Sequence, residues 1–384
     1  MDSRPFSSRP FQALLLAILL CIGVDYGVSR SFLRFWVPFA DAPEKSVLEA
    51  FRVSEETFDL IAIGSSRTRS GFSAGFLQKL AGKDGIPLKA FNLSILGSRV
   101  PFFAELLHWI IDSVRAPQIL LVEIDPILLT DHGGIYEEWV RYYASTPHLL
   151  GEILARSHLT AAVAALAGGM GQFLGRIVQA PARSPVDPEA ERVLHDHGDR
   201  YGPLVEEEFP HFKRELKEGI KDFRENRIVL ELEKKLGRPL TDEEVLEARL
   251  QWREGILGGI LRGFRIPSRV RADLLDLVQT AESAGIQVVF YRPPLNRIVF
   301  PDLYSPEIEQ EFRKLQKEVL AGGAAIWLDT GIEGLRGRIR TKSPSGMVQE
   351  FFRDGVDHLG GEGCRQFTIW LYRQLGRKGL LERS

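Results

Sequence analysis

The stretch LIAIGSSRTRSGF, residues 60–72, joins a short apolar run to a polar turn that contains glycine. Residues 60–63 are all apolar, without alternation, which is typical of a strand buried on both faces of a parallel sheet. The tetrapeptide GSSR, residues 64–67, follows at once. Because ligands bind at the carboxyl ends of the strands in such sheets, this abrupt change predicts a functional loop.

Strands and helices alternate through much of the chain. Further strands are expected in IPLKAFNLS (86–94), PQILLVEID (117–125), IQVVFYRPP (286–294) and AAIWLDT (324–330). Helical segments with short connections separate most of them, which is the pattern of βαβ units. The sequence therefore predicts a doubly wound, parallel five-stranded sheet in a three-layer α/β/α arrangement.

Composition narrows the classes of function. The chain has 384 residues, enough for one large α/β domain with insertions. Lys and Arg number 49 against 51 Asp and Glu, so the basic excess of a nucleic-acid-binding protein is missing. The only cysteines are Cys21 and Cys364, and neither a structural disulfide nor a cysteine metal site is expected. No cofactor and no nucleic-acid partner are predicted.

The N-terminus carries an apolar run over residues 11–24, preceded by Arg4 and Arg9. As a helix the run would be roughly 21 Å long, which is shorter than the ~30 Å hydrocarbon core. This length suits the core of a signal peptide as well as an anchor. We favour an uncleaved membrane anchor within residues 1–30, with Tyr26 and Arg30 at the interface, over a cleaved signal or a buried core helix.

The alternation is interrupted between residues 128 and 267, where a helical insertion is expected. Its apolar segment 159–174 contains three glycines and Gln172, which favours a packed or membrane-adjacent helix over a second span. The predicted organisation is therefore a membrane segment at 1–30, a first half of the α/β domain at 31–127, the insertion at 128–267 and a second half at 268–384.

A serine after the first predicted strand, Ser66, and a histidine ahead of the C-terminal helix, His358, together suggest acyl-transfer chemistry. Ser66 lies in a strand-to-helix turn, which exposes the hydroxyl oxygen and leaves backbone N–H groups to hold an oxyanion. His358 lies in the loop FFRDGVDHLGGEG, residues 351–363, beside two aspartates and ahead of a C-terminal helix. An imidazole held by a carboxylate can accept the proton of a serine hydroxyl. We therefore expect Ser66 and His358 to lie in contact.

These motifs resemble the sequence blocks of the SGNH/GDSL hydrolases. The GSS tripeptide is similar to the first block, G-D-S, and closer to the G-S-S-R/E form of the membrane-anchored, DltD-like branch; its last serine, Ser66, takes the place of the nucleophile. FNLSILGS, residues 91–98, resembles the second block, whose closing glycine, here Gly97, donates an oxyanion N–H. DGVDHLGGEG, residues 354–363, resembles the final block, which supplies the acid and the base.

The chain departs from the family pattern at two points. Gly355 stands where the aspartate three residues before the histidine is usual, so the carboxylate is either Asp354 or Asp357. We favour Asp354, because the side chain adjacent to a histidine in an extended loop tends to point away from it. The third block, G-x-N-D, is missing from VEIDP, and Asn92 and Ser94 are alternative oxyanion donors.

Three arginines follow strand ends and are expected at the same edge of the sheet: Arg67, Arg69 and Arg292. Arg67 and Arg292 are candidate contacts for an anionic substrate group, and salt bridges to local carboxylates are the other interpretation. HDHGDR, residues 195–200, holds two histidines and two aspartates, but such exposed clusters are usually solvated, and no metal site is predicted.

The resemblance implies a membrane-anchored serine acyl-esterase or O-acyltransferase with an extracytoplasmic, periplasmic or cell-surface domain. It implies a triad of Ser66, His358 and Asp354, and an oxyanion hole formed by the N–H groups of Ser66 and Gly97. The expected substrate is an acylated polysaccharide or another polymer of the cell envelope, and the expected partner is a membrane-bound O-acyltransferase. The alternative is a non-catalytic, degenerate SGNH fold that acts as a binding or scaffold protein.

Overall fold

Five strands form one sheet at the centre of the molecule, and every neighbouring pair is parallel. In this computed structural model the strands are β1 (Leu60–Ile63), β2 (Ala90–Asn92), β3 (Ile119–Glu123), β4 (Gln287–Tyr291) and β5 (Ala325–Leu328). Their spatial order is β2-β1-β3-β4-β5. The predicted α/β class and the predicted five-stranded parallel sheet are both confirmed.

The structure describes residues 47–130, 221–295, 303–328, 352 and 358–381, apart from positions 49, 52, 53, 55, 114, 115 and 222. The predicted membrane segment at 1–30 and the apolar segment at 159–174 lie outside these residues. Within them, no helix is both long enough and apolar enough to cross a membrane. The predicted domain boundaries remain predictions.

Eight helices accompany the sheet in the described part of the chain. They are α1 (Ser66–Gly71), α2 (Ala74–Lys83), α3 (Val100–Ser113), α4 (Arg227–Leu236), α5 (Asp242–Leu261), α6 (Ser268–Ser283), α7 (Pro306–Leu320) and α8 (Gly361–Arg377). A 3₁₀ turn at Pro126–Leu129 follows β3. Several helices begin at the side-chain caps that their sequences suggest; in α7, for example, Ser305 caps the helix and Pro306 is its first residue.

The helices cover both faces of the sheet. Alternate strand residues point to opposite sides: Ile61 and Ile63 pack in a cluster with α3, α6 and α7. Leu60 and Ala62 pack in a second cluster with α2 and α8. Two apolar faces on one sheet explain why the strands read as unbroken apolar runs, and they give the predicted three-layer arrangement.

Helices α4 and α5 lie within the predicted insertion. Thr241 caps α5, and Glu244 closes the capping box that the sequence predicts. The C-terminal half of α5 packs through Leu257 and Leu261 in an apolar cluster with Ile127 of the 3₁₀ turn. The insertion therefore contacts the main domain at the carboxyl edge of the sheet.

The strand order places β1 between β2 and β3. The chain leaves β1 toward β2 on one side, and then returns across β1 to form β3 on the other side. This reversal is a topological switch point, where the loops after neighbouring strands separate and leave a crevice. The turn that carries Ser66 lies directly at this point.

Candidate active site

The side chains of Ser66 and His358 meet, although 292 positions separate them in the sequence. Nε2 of His358 lies 2.8 Å from Oγ of Ser66, within hydrogen-bond distance. Both residues are partly exposed, whereas most of their described neighbours in the chain are buried. The contact expected from the sequence is therefore present, between two side chains that are partly exposed to solvent. The catalytic roles of the two residues remain a prediction.

The turn after β1 presents Ser66 at the start of a helix. Ser65 caps α1, and its Oγ accepts a hydrogen bond from the N–H of Arg67. Ser66 is the first residue of the helix, a position whose N–H has no acceptor within the helix itself. Its carbonyl accepts a hydrogen bond from the hydroxyl of Ser70 at 2.8 Å. Ser66 thus presents both its hydroxyl and its backbone N–H at the carboxyl end of β1.

Packing of the C-terminal helix brings His358 to this turn. Leu359 is 1% exposed and belongs to the same apolar cluster as the inner face of α8. It also forms an isolated antiparallel bridge with Phe352. A Cβ added at Gly71 would contact Leu359 at 3.4 Å, so the loop lies close against the end of α1. Burial of Leu359 therefore fixes the position of the neighbouring histidine.

The turn that contains Gly97 is tied to the end of β1. The N–H of Ile95 donates to the carbonyl of Gly64 at 2.9 Å, and the hydroxyl of Ser98 donates to the same carbonyl at 2.7 Å. Gly97 has a φ of +69°, a left-handed conformation that favours glycine. The loop predicted to donate an oxyanion N–H is thus anchored two residues before Ser66.

The side chain of Asn92 has a structural role: it holds the end of α1. Its side chain is fully buried, and its Nδ2 donates to the carbonyls of Phe72 at 2.8 Å and Thr68 at 3.3 Å. Its Oδ1 accepts from the N–H of Ser94. Because the amide already satisfies carbonyls at the end of α1, it is not available as an oxyanion donor. Ser94, the other alternative, is also fully buried.

Arg67 and Arg292 are both paired with carboxylates at the strand ends. Both were candidates to contact substrate, but Arg67 is only 4% exposed and Arg292 only 7%. Arg67 forms ion pairs with Glu123 at 2.9 Å and with Asp125 at 3.2 Å. Arg292 pairs with Asp125 and, through two hydrogen bonds, with Glu309. The alternative interpretation, salt bridges to local carboxylates, describes both arginines.

Asp125 joins these two arginines below the surface. Burial alone would raise the pKa of its carboxyl group, but the charges of Arg67 and Arg292 outweigh this effect. The hydroxyl of Tyr304 also donates to the carboxylate at 2.6 Å. The pKa of Asp125 is therefore lowered, and the residue is an anion that holds the strand ends together.

Sequence reasoning missed Glu123, the last residue of β3. Its carboxylate is fully buried beside the turn and accepts a hydrogen bond from Thr68 at 2.6 Å. Thr68 in turn hydrogen-bonds the hydroxyl of Tyr291. Burial and the charge of Glu123 raise the pKa of Tyr291 well above its ordinary value, so the tyrosine stays neutral. A glutamate that ends the apolar strand ILLVE was the available signal, because a buried charge requires a partner.

Other sequence candidates fall outside this cluster. Asp354 and Asp357, the alternative triad acids, lie outside the described residues, as does the cluster at 195–200. Arg69 is partly exposed on α1. Among the described residues, no group of three or more His, Cys, Asp or Glu side chains could hold a metal ion.

The fold and the site define an α/β protein with a serine–histidine pair at the switch point of a parallel sheet. The sequence matches no protein-family model and no curated protein. The site geometry and the short motifs therefore carry the functional argument.

Proposed function

We propose that this chain is a serine acyl-esterase or O-acyltransferase of the SGNH type, and that Ser66 is its nucleophile. The observation that carries the proposal is the 2.8 Å contact between Oγ of Ser66 and Nε2 of His358. A hydroxyl is a weak nucleophile unless an adjacent base accepts its proton, and this contact supplies the base. The sheet order β2-β1-β3-β4-β5 is also compatible with a flavodoxin-like, SGNH-type domain.

The reaction begins when Oγ of Ser66 attacks the carbonyl carbon of an acyl ester. Nε2 of His358 accepts the hydroxyl proton, which requires that the neutral imidazole carry its own proton on Nδ1. The tetrahedral intermediate collapses as the bond to the alcohol oxygen breaks and His358 returns the proton to that oxygen. Water, in hydrolysis, or an acceptor hydroxyl, in transfer, then attacks the acyl-serine with His358 again as base.

Two backbone N–H groups would stabilise the negative oxygen of the intermediate. The N–H of Ser66 lies at the start of α1, and the anchored turn of Gly97 supplies the second donor. A missing donor lowers the rate by about 10²–10³-fold, so the rigidity of this turn matters for the reaction. Asp354 is proposed to orient His358 from the loop that precedes it.

The substrate and the location follow from the family resemblance. The proposed substrate is an acylated polysaccharide or a related polymer of the cell envelope, and a membrane-bound O-acyltransferase is the proposed partner. The proposed location is the extracytoplasmic side of a membrane, with the N-terminal segment as anchor. Arg67 and Arg292 have no part in substrate binding in this proposal, because their charges are already paired below the surface.

Covalent labelling of the full-length protein tests the nucleophile. A fluorophosphonate probe should modify Ser66, as located by mass spectrometry, and Ser66→Ala should abolish the adduct. His358→Gln should slow labelling by about 10²–10⁴-fold, the contribution of a general base. Ser305 is a control serine at another helix start: it caps α7 through a 3.4 Å bond from Ile308 N–H, and Ser305→Ala should label normally.

The same experiment separates the rival functions. Hydrolysis of small acetyl esters that disappears in Ser66→Ala supports an esterase over an obligate transferase. A protein that folds cooperatively but resists the probe contradicts the proposal and favours a non-catalytic binding or scaffold protein. One observation already points that way: Asn92, an alternative oxyanion donor, is committed to helix carbonyls.

A further inference from the structure

One buried carboxylate holds the residues on both sides of Ser66. Oε2 of Glu123 accepts from the backbone N–H of Ser65 at 2.6 Å, and both carboxylate oxygens lie 2.9 Å from its hydroxyl. Oε1 accepts from Nε of Arg67 at 2.9 Å, and Nη2 of the same guanidinium lies equally close. Residues 65 and 67 are thus fixed to one group on β3, while Ser66 between them points to His358.

The chain makes space for this arrangement at Gly64. A Cβ at this position would lie 2.7 Å from Oε2 of Glu123 and 2.3 Å from Oγ1 of Thr68. Only a residue without a side chain allows the carboxylate and α1 to approach the end of β1 so closely. The glycine of the GSS motif therefore serves the contact between Glu123 and the turn.

Stability alone is a weak reason for a buried ion pair here. Glu123 is fully buried and Arg67 nearly so, and removing two such charges from water costs several kcal/mol per ion. Packed apolar residues of similar volume are often as stable or more stable. What apolar residues lack is direction: they cannot hold a backbone N–H, a hydroxyl and a guanidinium at defined points around one turn.

We infer that Glu123 is a positioning residue for the Ser66 nucleophile, acting through Ser65 and Arg67. The inference rests on the proposed function and extends it to a residue outside the triad and the oxyanion hole. By fixing the backbone on both sides of Ser66, the carboxylate sets the separation between Oγ and the imidazole. A displacement of about 1 Å at a reacting atom lowers a rate by about 10²-fold.

Substitution by glutamine keeps the shape and changes the bonding. Whichever way the amide of Glu123→Gln turns, its NH₂ group faces either the N–H of Ser65 or the guanidinium of Arg67, which are both donors. Glu123→Asp keeps the charge, but its side chain is shorter by one methylene, so the carboxylate lies farther from Ser65 and Arg67. The first variant should disturb the turn strongly, and the second should recover part of the loss.

The test is fluorophosphonate inactivation of the full chain, with the maximal rate constant separated from the probe affinity. Glu123→Gln should lower the maximal rate constant by about 10²-fold with the apparent affinity changed less than about threefold, and Glu123→Asp should fall between it and the native protein. Leu274→Ala is the stability control: Leu274 is fully buried in the cluster on the other face of the sheet, and its truncation costs about 2–5 kcal/mol. It should leave the rate constant unchanged.

A crystal structure of Glu123→Gln supplies a readout that does not depend on activity. The Oγ to Nε2 separation between Ser66 and His358 should exceed hydrogen-bond distance, about 3.5 Å. An unchanged separation overturns the positioning role, and so does an equal loss of rate in Leu274→Ala. If the native protein resists the probe, the proposed function fails, and the separation in the variant alone decides the inference.

Discussion

Replacement of Gly64 by alanine should destabilise the protein for a reason that is steric. The new Cβ would lie 2.3 Å from Oγ1 of Thr68 and 2.7 Å from Oε2 of Glu123, well inside ordinary contact distance. Either α1 shifts away from the sheet or the bond between Thr68 and Glu123 breaks. Overpacking costs about 1–3 kcal/mol and the loss of a bond to a charged group about 1.5–3 kcal/mol. Whichever of the two occurs, we expect the free energy of unfolding to fall by about 1–3 kcal/mol.

Urea unfolding of two glycine variants measures this effect against its own control. Gly82 lies in the last turn of α2, and a Cβ there meets no atom within 4 Å. Alanine is the better helix former, so Gly82→Ala should raise the free energy of unfolding by roughly 0.5–1 kcal/mol. The same substitution should therefore lower the free energy of unfolding at Gly64 and raise it at Gly82. A Gly64→Ala protein within about 0.5 kcal/mol of the native one would refute the steric argument.

Three further predictions concern buried and capping groups. Asn92→Ala should lower the free energy of unfolding by about 1–3 kcal/mol in urea titrations, because the buried carbonyl of Phe72 loses its side-chain donor and that of Thr68 keeps only the N–H of Phe72. The lowered pKa of Asp125 stabilises the fold above the pKa of the unfolded chain, near 3.9, and this contribution is lost as the pH falls below it. Asp125→Asn should therefore be less stable than the native protein at pH 7, with a gap that narrows toward pH 3 in the same titrations. Hydrogen bonds from Arg238 and Thr241 lower the pKa of Glu244 to about 2, and NMR titration of Arg238→Gln should move this midpoint upward.

The sheet was predictable because its signal is local. Each strand is a short, largely apolar run bounded by polar turns, as expected for a strand that is buried on both faces of a parallel sheet. The contact between Ser66 and His358 was predictable for a different reason. Parallel strands bring their carboxyl ends to one edge of the sheet. Ser66 follows the first strand and His358 precedes the last helix, so both were expected at that edge.

The roles of the arginines were not predictable in the same way. Arg67 follows Ser66 directly, and its position in the sequence alone suits a substrate contact as well as a salt bridge. The choice depends on Glu123 and Asp125, which are 56 and 58 positions later and lie under the turn because β3 pairs with β1. Only the register of two strands reveals that partnership. A charged residue at the end of an apolar strand is the sign that such a partner exists.

Ser66 and His358 are 292 positions apart, so the ribosome adds them at different times. A ribosome adds about 5–20 residues per second, so His358 follows Ser66 out of the peptidyl-transferase centre after roughly 15–60 s. Throughout that interval a nascent chain can form the first βα turn but lacks the imidazole of His358, which contacts Ser66 in the folded protein. Reactivity at Ser66 is therefore expected to arise late, only when α8 has docked on the sheet.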